Sequence, residues 1–113
     1  MPRFVVLEHT SREGVHFDLM LEHVQGTLWT WSFSQFPGAG TSCRRLFDHR
    51  PLYLDLEGDV GEGKGTVKRV DAGTLDWLNE EEGRVYVTLR GTRLQGSFLL
   101  TRNDDATWTF SVG

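Results

Sequence analysis

The chain has 113 residues, which is the size of one domain, and we predict a single domain over 1–113. Its net charge of −4 argues against a protein that coats nucleic acid through a broad basic surface. Cys43 is the only cysteine, which excludes an intrachain disulfide and makes a reducing cytoplasm the expected location. No stretch approaches the roughly 18 apolar residues of a membrane helix, so we expect no membrane association. We expect a complete small protein that is a monomer.

Apolar and polar residues alternate along most of the chain, which is the pattern of half-buried strands. In 15–22, for example, Phe17 and Leu19 fall on one face, while His16, Asp18 and Met20 fall on the other. The alternation predicts strands at 3–9, 15–22, 28–33, 52–57, 65–71, 85–90, 94–102 and 107–112.

Turn residues separate these segments, and the thirteen glycines fit many tight connections. Strands at this spacing favour an all-β fold, and we predict a small antiparallel β-barrel with at most one or two short helices. A closed barrel also leaves no exposed sheet edge. The segment 74–82 is the one place where a short helix is predicted, because Thr74 could cap it and Leu75 and Leu78 give a weak apolar stripe.

The segment from His9 to Asp18 carries the most chemistry. His16 and Asp18 lie two apart on a predicted strand, so their side chains leave the same face. His9 ends the preceding strand, and a short turn containing Gly14 brings the two strands together. Two imidazoles and one carboxylate leave coordination positions open, and such sets suit Mn²⁺, Fe²⁺ or catalytic Zn²⁺. We therefore predict His9, His16 and Asp18 as metal ligands.

Other polar residues remain open to simpler interpretations. A single histidine on the polar face of a strand is usually only solvated, and we interpret His23 as a surface residue before a turn. His49 is expected in a loop, where it could contact phosphate or serve as a turn residue, and Tyr53 taken alone would be a core residue. The glycine-rich segment 58–66 could bind an anion through backbone N–H groups, but a hairpin turn explains it better.

The order of these motifs resembles the 3′-phosphoesterase domain of bacterial DNA ligase D. The resemblance begins with Phe4-Val-Val-Leu-Glu-His9 and His16-Phe-Asp18-Leu-Met-Leu-Glu22. It continues through Gly26-Thr-Leu-Trp-Thr-Trp31, Asp48-His49-Arg-Pro-Leu-Tyr53, Gly65-Thr-Val, Asp71-x-Gly73 and Leu94-x-Gly96. The combined motifs cover nearly the whole chain and are far more specific than any one of them.

The resemblance implies a compact β-barrel with Mn²⁺-dependent phosphodiesterase and phosphomonoesterase activity at nucleic-acid 3′ ends. It implies that His9, His16 and Asp18 form the metal site. It also implies that His49 and Tyr53 contact the reacting phosphate. Mn²⁺ is the expected metal, with Zn²⁺ or another transition metal as alternatives. Expected partners are a nucleic-acid 3′ end or another phosphate ester, and a DNA repair ligase or polymerase.

Two departures from the family pattern favour a second hypothesis. The family has a catalytic arginine where this chain has Met20, and a lysine where it has Gln35. A thioether cannot offset the charge of a phosphate oxygen. The leading hypothesis is a metal-dependent 3′-end-processing phosphoesterase. The second is a catalytically impaired, metal-dependent binder of 3′ ends or phosphate esters, and a third is a structural barrel that assembles with repair proteins through exposed aromatic residues.

Overall fold

The computed structural model describes residues 1–113 as nine antiparallel strands and one short 3₁₀ helix. The elements are β1 (Arg3–Ser11), β2 (Gly14–Glu22), β3 (Leu28–Phe33), β4 (Thr41–His49), the 3₁₀ helix (Pro51–Leu54), β5 (Gly58–Asp59), β6 (Thr66–Glu81), β7 (Arg84–Arg90), β8 (Gln95–Arg102) and β9 (Thr107–Val112). The predicted all-β class is confirmed. No helix in the structure has the length and hydropathy needed to cross a bilayer.

Eight of the strands form a continuous hydrogen-bonded ring. Their order is β1-β2-β3-β4-β9-β8-β7-β6, and pairing between β1 and β6 closes it. The strand β6 is long enough to serve two neighbours, since Thr66–Thr74 pairs with β1 and Thr74–Glu81 pairs with β7. This closure is the feature of the predicted barrel that the structure has, and it leaves only the short β5 at an edge.

The interior of the ring holds the main hydrophobic core. Because side chains alternate across a strand, most of the ring strands direct alternate residues into this core. Sixteen buried residues form it, with large aromatic rings among them. Trp31 contacts Trp108 edge to face, and Phe110 stacks on Phe98 and meets Phe33 edge to face. These aromatic side chains fill the interior of the closed sheet, so the candidate site must lie elsewhere.

The hairpin of β1 and β2 is buried on both faces. Its inner face contributes Phe4, Val6, Leu19 and Leu21 to the main core. Its outer face belongs to a second cluster of buried residues, made of Val5, Leu7, Met20, Leu28, Leu54 and Val67. The 3₁₀ helix and the segment leading to β5 cover this outer face, with Tyr53, Leu56 and Val60 packed against the cluster. The outer face is therefore a sheltered surface.

The predicted helix at 74–82 is wrong, because this segment is the second half of β6. Thr74 to Glu81 pairs residue by residue with β7, apart from one bulge between Trp77 and Asn79. The weak stripe of Leu75 and Leu78 could not compete with this pairing: Leu75 is fully buried in the core and Leu78 is exposed, as a strand with a bulge permits.

Two further strand predictions need correction. The segment 52–57 is not a strand: it contains the 3₁₀ helix, which starts at Pro51. Proline lacks an N–H donor and holds φ near the helical value, so it starts a helical turn more readily than it joins a sheet. The strand β4 was not predicted, because its residues do not alternate cleanly and few of them are buried.

The turn after β7 is held by one buried carboxylate. Asp71 accepts hydrogen bonds from the backbone N–H groups of Ala72, Thr92, Arg93 and Leu94, at 2.7 to 3.2 Å. At Gly73 the backbone of β6 runs so close to Arg90 that a Cβ atom would collide with the Arg90 carbonyl oxygen. The Asp71-x-Gly73 and Leu94 motifs are therefore explained by folding.

Candidate metal centre

The candidate metal ligands lie on the outer face of the β1–β2 hairpin, near the turn that joins the two strands. His9 and His16 are direct partners across the two strands, and Asp18 faces the same side two residues further along β2. Side chains on one face of paired strands are close enough to interact directly. The antiparallel pairing that the sequence predicted is what brings them together.

The ligand atoms of the three residues converge. The distance from His9 Nδ1 to His16 Nε2 is 3.2 Å, and that from His16 Nε2 to Asp18 Oδ2 is also 3.2 Å. One ligand atom from each residue lies within 4.8 Å of the others. Atoms at this spacing can bind one transition-metal ion after small adjustments, since Zn–N and Zn–O bonds are about 2.0–2.2 Å long.

The backbone of the glycine-rich turn orients His9. The imidazole Nε2–H of His9 donates to the carbonyl oxygen of Lys64 at 2.6 Å, which leaves the Nδ1 lone pair directed at His16. Metal-binding histidines commonly have such a carbonyl on the second nitrogen. Gly65 makes the approach possible: its φ is +98°, and a Cβ there would collide with the carbonyl oxygen of Thr10. The segment is a hairpin turn between β5 and β6, as predicted.

Asp18 is the buried member of the set, with 5% of its surface exposed. Burial raises the pKa of its carboxyl group, and the neighbouring His16, His49 and His9 counteract that rise. Its Oδ1 atom is buried and has no hydrogen-bond partner. A buried carboxylate oxygen without a partner is costly, and a cation would satisfy it. The donor set and this atom together fit a divalent metal ion.

A cavity of about 160 Å³ is lined by two of the candidate ligands, His9 and Asp18, and by the two predicted phosphate contacts, His49 and Tyr53. Its wall is formed by Leu7, His9, Asp18, Met20, Phe47, His49, Tyr53, Val60, Lys64 and Val67. The prediction that His49 lies in a loop is wrong, because His49 is the last residue of β4. The rings of His49 and Tyr53 meet edge to face at 5.1 Å.

The tautomer of His49 follows from its hydrogen bond. Its Nδ1–H donates to the carbonyl oxygen of Phe47 at 3.0 Å, so the neutral ring has its lone pair on Nε2. Burial lowers the pKa of His49, although the charge of Asp18 opposes this. The neutral imidazole is therefore the resting form near pH 7.

The structure brings no arginine into the position that the family arginine would hold. Met20 is 1% exposed and packs in the second hydrophobic cluster, so an apolar side chain forms this wall of the cavity. Arg45 is engaged elsewhere, because it donates to Asp48 Oδ1 at 3.0 Å and lies over the rings of Trp29 and Trp31. Gln35 is exposed.

The prediction for His23 is wrong, because this residue is 6% exposed. Its ring stacks on Trp29 with centroids 4.4 Å apart and an interplanar angle of 3°. Its Nδ1 accepts from the backbone N–H of Gln25 at 3.1 Å, and its Nε2–H donates to Glu80 at 2.6 Å.

Comparison with known proteins identifies the family of this chain. A model of the DNA Ligase D 3′-phosphoesterase domain matches residues 7–102, which is most of the chain. The chain belongs to the DNA ligase D 3′-phosphoesterase domain family. All the predicted site residues, from His9 to Tyr53, fall inside the matched segment.

Curated relatives in this family are long, multifunctional proteins. The LigD protein of Mycobacterium bovis, described as a multifunctional non-homologous end joining protein, is 32% identical over 116 residues and covers 93% of this chain. The Mycobacterium tuberculosis protein has the same identity, and that of Mycolicibacterium smegmatis is 27% identical over 124 residues, covering 94% of the chain. The chain spans only about 15% of the length of these relatives.

Proposed function

We propose that this protein is a 3′-end-processing phosphoesterase that depends on a divalent metal ion, with Mn²⁺ as the first candidate. The observation that supports the proposal is the convergence of His9, His16 and Asp18 beside a cavity that also contains His49 and Tyr53. The substrate would be a nucleic-acid 3′ end with a terminal ribonucleoside or phosphate. Because the relatives are named for non-homologous end joining, we propose that it acts in DNA repair with a ligase or polymerase.

In this proposal His9 binds the metal through Nδ1, His16 through Nε2 and Asp18 through a carboxylate oxygen. A divalent ion held there would supply Lewis-acid chemistry, since it polarises a phosphoryl oxygen and offsets its negative charge. The carbonyl of Lys64 keeps the His9 ring in the required orientation. The apolar residues of the second cluster limit the access of water and strengthen each electrostatic contact.

His49 is the residue that would exchange a proton with the substrate. Its Nδ1–H is fixed on the carbonyl oxygen of Phe47, so Nε2 is the atom available to the cavity. The lowered pKa of His49 keeps Nε2 unprotonated before substrate binds. The negative charge of an arriving phosphate favours protonation of this ring, which could then donate to the leaving oxygen. Tyr53 would donate a hydrogen bond to the phosphate.

The direct test is an end-processing assay with 5′-labelled primer-template DNA. One primer ends in a 3′-phosphate and another in a single ribonucleotide, and each is incubated with Mn²⁺, Zn²⁺ or EDTA. We expect product with Mn²⁺ and none with EDTA. Metal analysis of the purified protein should find about one ion per chain, since only one set of three ligands converges.

Histidine variants test whether the site is responsible. His16→Ala and His49→Ala should each lose at least about 100-fold in rate, which is typical when one charge-stabilising group is removed. His23→Ala is the matched control, because it removes a buried histidine from outside the site. Absence of product with every metal would reject the proposal, as would full activity in His16→Ala.

A second function is favoured by the burial of Met20. Because the cavity wall at this position is apolar, a bound phosphate lacks one cationic contact that the family pattern provides. The protein would then be a metal-dependent binder of 3′ ends without turnover. The same oligonucleotides distinguish the two functions: binding with Mn²⁺ at low micromolar concentration and no product over hours would favour the binder.

A further inference from the structure

Phe47 is the one aromatic residue of the chain whose side chain is largely exposed to solvent. It is 79% exposed, whereas the other large apolar residues that are exposed are aliphatic. Phe47 lies in β4, two residues before His49, and its ring is on the edge of the candidate cavity. A large aromatic ring exposed to water beside a cavity that holds candidate metal ligands suggests contact with a ligand.

The ring of Phe47 is held in a fixed orientation from one side. One of its faces stacks on the imidazole of His49, with centroids 5.0 Å apart and an interplanar angle of 7°. His49 in turn meets Tyr53 edge to face and donates to the Phe47 carbonyl. Since the ring remains mostly exposed, its second face is open to solvent. Phe47 thus offers a flat, oriented apolar surface next to the proposed phosphate site.

We propose that this open face of Phe47 stacks on the base of the nucleotide that bears the reacting 3′-phosphate. The proposal rests on the proposed function and specifies its substrate class as a nucleoside 3′-phosphate ester instead of any small phosphate ester. A phosphate in the cavity would be joined to its own base by a single ribose. Phe47 lines the same cavity as His9 and Asp18, so a base attached to a phosphate bound there would lie next to the Phe47 ring.

A stacking contact would add affinity for nucleic acid, because the charges of this protein provide little. With a net charge of −4, the chain has little general attraction for a polyanion. Arg45 is paired with Asp48, and the Lys64 ammonium is 3.6 Å from Glu62. Stacking on an aromatic ring does not depend on charge, and it accepts every base because each has a flat π face. It would therefore give affinity for nucleic acid that the electrostatics do not.

The test compares base-bearing and abasic ends. The probe is a 5′-fluorescein oligonucleotide whose last residue has a 3′-phosphonomethyl group, in which a methylene replaces the ester oxygen and cleavage is impossible. A second probe has the same end without its base. Binding is measured by fluorescence anisotropy with Mn²⁺ at fixed ionic strength. We expect wild type to bind the base-bearing probe about tenfold more tightly, a typical effect of one stacked base.

Variants of Phe47 distinguish stacking from support of His49. Phe47→Ala should lose about tenfold in affinity for the base-bearing probe and almost nothing for the abasic probe. Phe47→Tyr should restore the preference for the base, since it keeps the flat ring. Val112→Ala is the control, because it truncates another exposed apolar residue. An equal loss on both probes would mean that Phe47 acts only through His49, and would overturn the proposal.

The outcome is independent of turnover. If wild type prefers the base-bearing probe but hydrolyses no 3′-phosphate, the stacking site stands and the phosphoesterase proposal fails. If wild type hydrolyses 3′-phosphates but binds both probes equally, the stacking proposal fails and the enzymatic one stands. Absence of binding to either probe overturns the stacking proposal.

Discussion

Replacing Asp18 by asparagine should stabilise the metal-free protein and abolish its response to metal. The carboxylate of Asp18 is buried, and its Oδ1 atom has no hydrogen-bond partner. An unsatisfied buried polar group costs about 1–3 kcal/mol, and more when it is charged. A neutral amide of the same shape removes the charge and keeps the volume. We therefore expect Asp18→Asn to gain about 1 kcal/mol in EDTA, which is about 4 °C in Tm for a domain of this size.

The pH dependence gives the sign of the effect independently. Burial raises the pKa of Asp18 above its ordinary value of 3.8, so the folded protein holds this proton more tightly than the unfolded chain. Stability in EDTA therefore falls as the pH rises from 3.8 through the raised pKa, and the loss persists above it. Asp18→Asn removes this term, so the advantage of the variant should be absent at low pH and full at neutral pH.

Bound metal should make wild type more stable than Asp18→Asn, which reverses the order of stability in EDTA. At a metal concentration 100 times its Kd, wild type gains about 2.7 kcal/mol, or about 10 °C in Tm. Asp18→Asn lacks the anionic ligand and should shift by less than about 2 °C at that concentration. Differential scanning fluorimetry with EDTA and with Mn²⁺ measures both effects. Asp105→Asn, an exposed charge change, is the control. A variant that is less stable in EDTA and still responds to Mn²⁺ would refute the reasoning.

Three further predictions concern groups around the site and in the core. Gly65→Ala should displace Lys64 from His9 and weaken metal binding by about 10–100-fold in calorimetry, and unchanged affinity would contradict the role of that carbonyl. Asp71→Ala should lower the free energy of unfolding in urea by at least about 3 kcal/mol, because four N–H groups lose their acceptor. Burial raises the pKa of Cys43 to about 12, so iodoacetamide at pH 8 should modify it only in the unfolded protein, as mass spectrometry can show.

The fold class was predictable because alternation is a local property. Most strands are marked by apolar residues at alternate positions, and the structure has β1, β2, β3, β7, β8 and β9 at nearly the predicted bounds. The strand predictions failed where residues distant in sequence determine the secondary structure. The segment 74–81 is a strand because β7 pairs with it, and Thr41–His49 is a strand although few of its residues are buried. Neither partner can be identified from the residues of the segment itself.

The convergence of His9, His16 and Asp18 could be predicted because one hairpin contains all three. The pairing of two adjacent strands fixes their distances without reference to the rest of the fold. The neighbours that tune the site come from farther along the chain: Lys64 is 55 residues from His9, and Phe47 and Tyr53 reach the cavity from β4 and the 3₁₀ helix. Their contribution depends on how the covering segment lies over the hairpin, which sequence alternation does not specify.

Met20 marks the point where the site and the second hydrophobic cluster share one face of the hairpin. On that face His16 and Asp18 are polar, and the next outward residue packs on Val5 and Leu54. A cationic side chain at position 20 would place a charge among these apolar residues, and a buried charge without a partner costs several kcal/mol. The packing of Met20 therefore leaves the metal ligands in place and gives the cavity an apolar wall beside them.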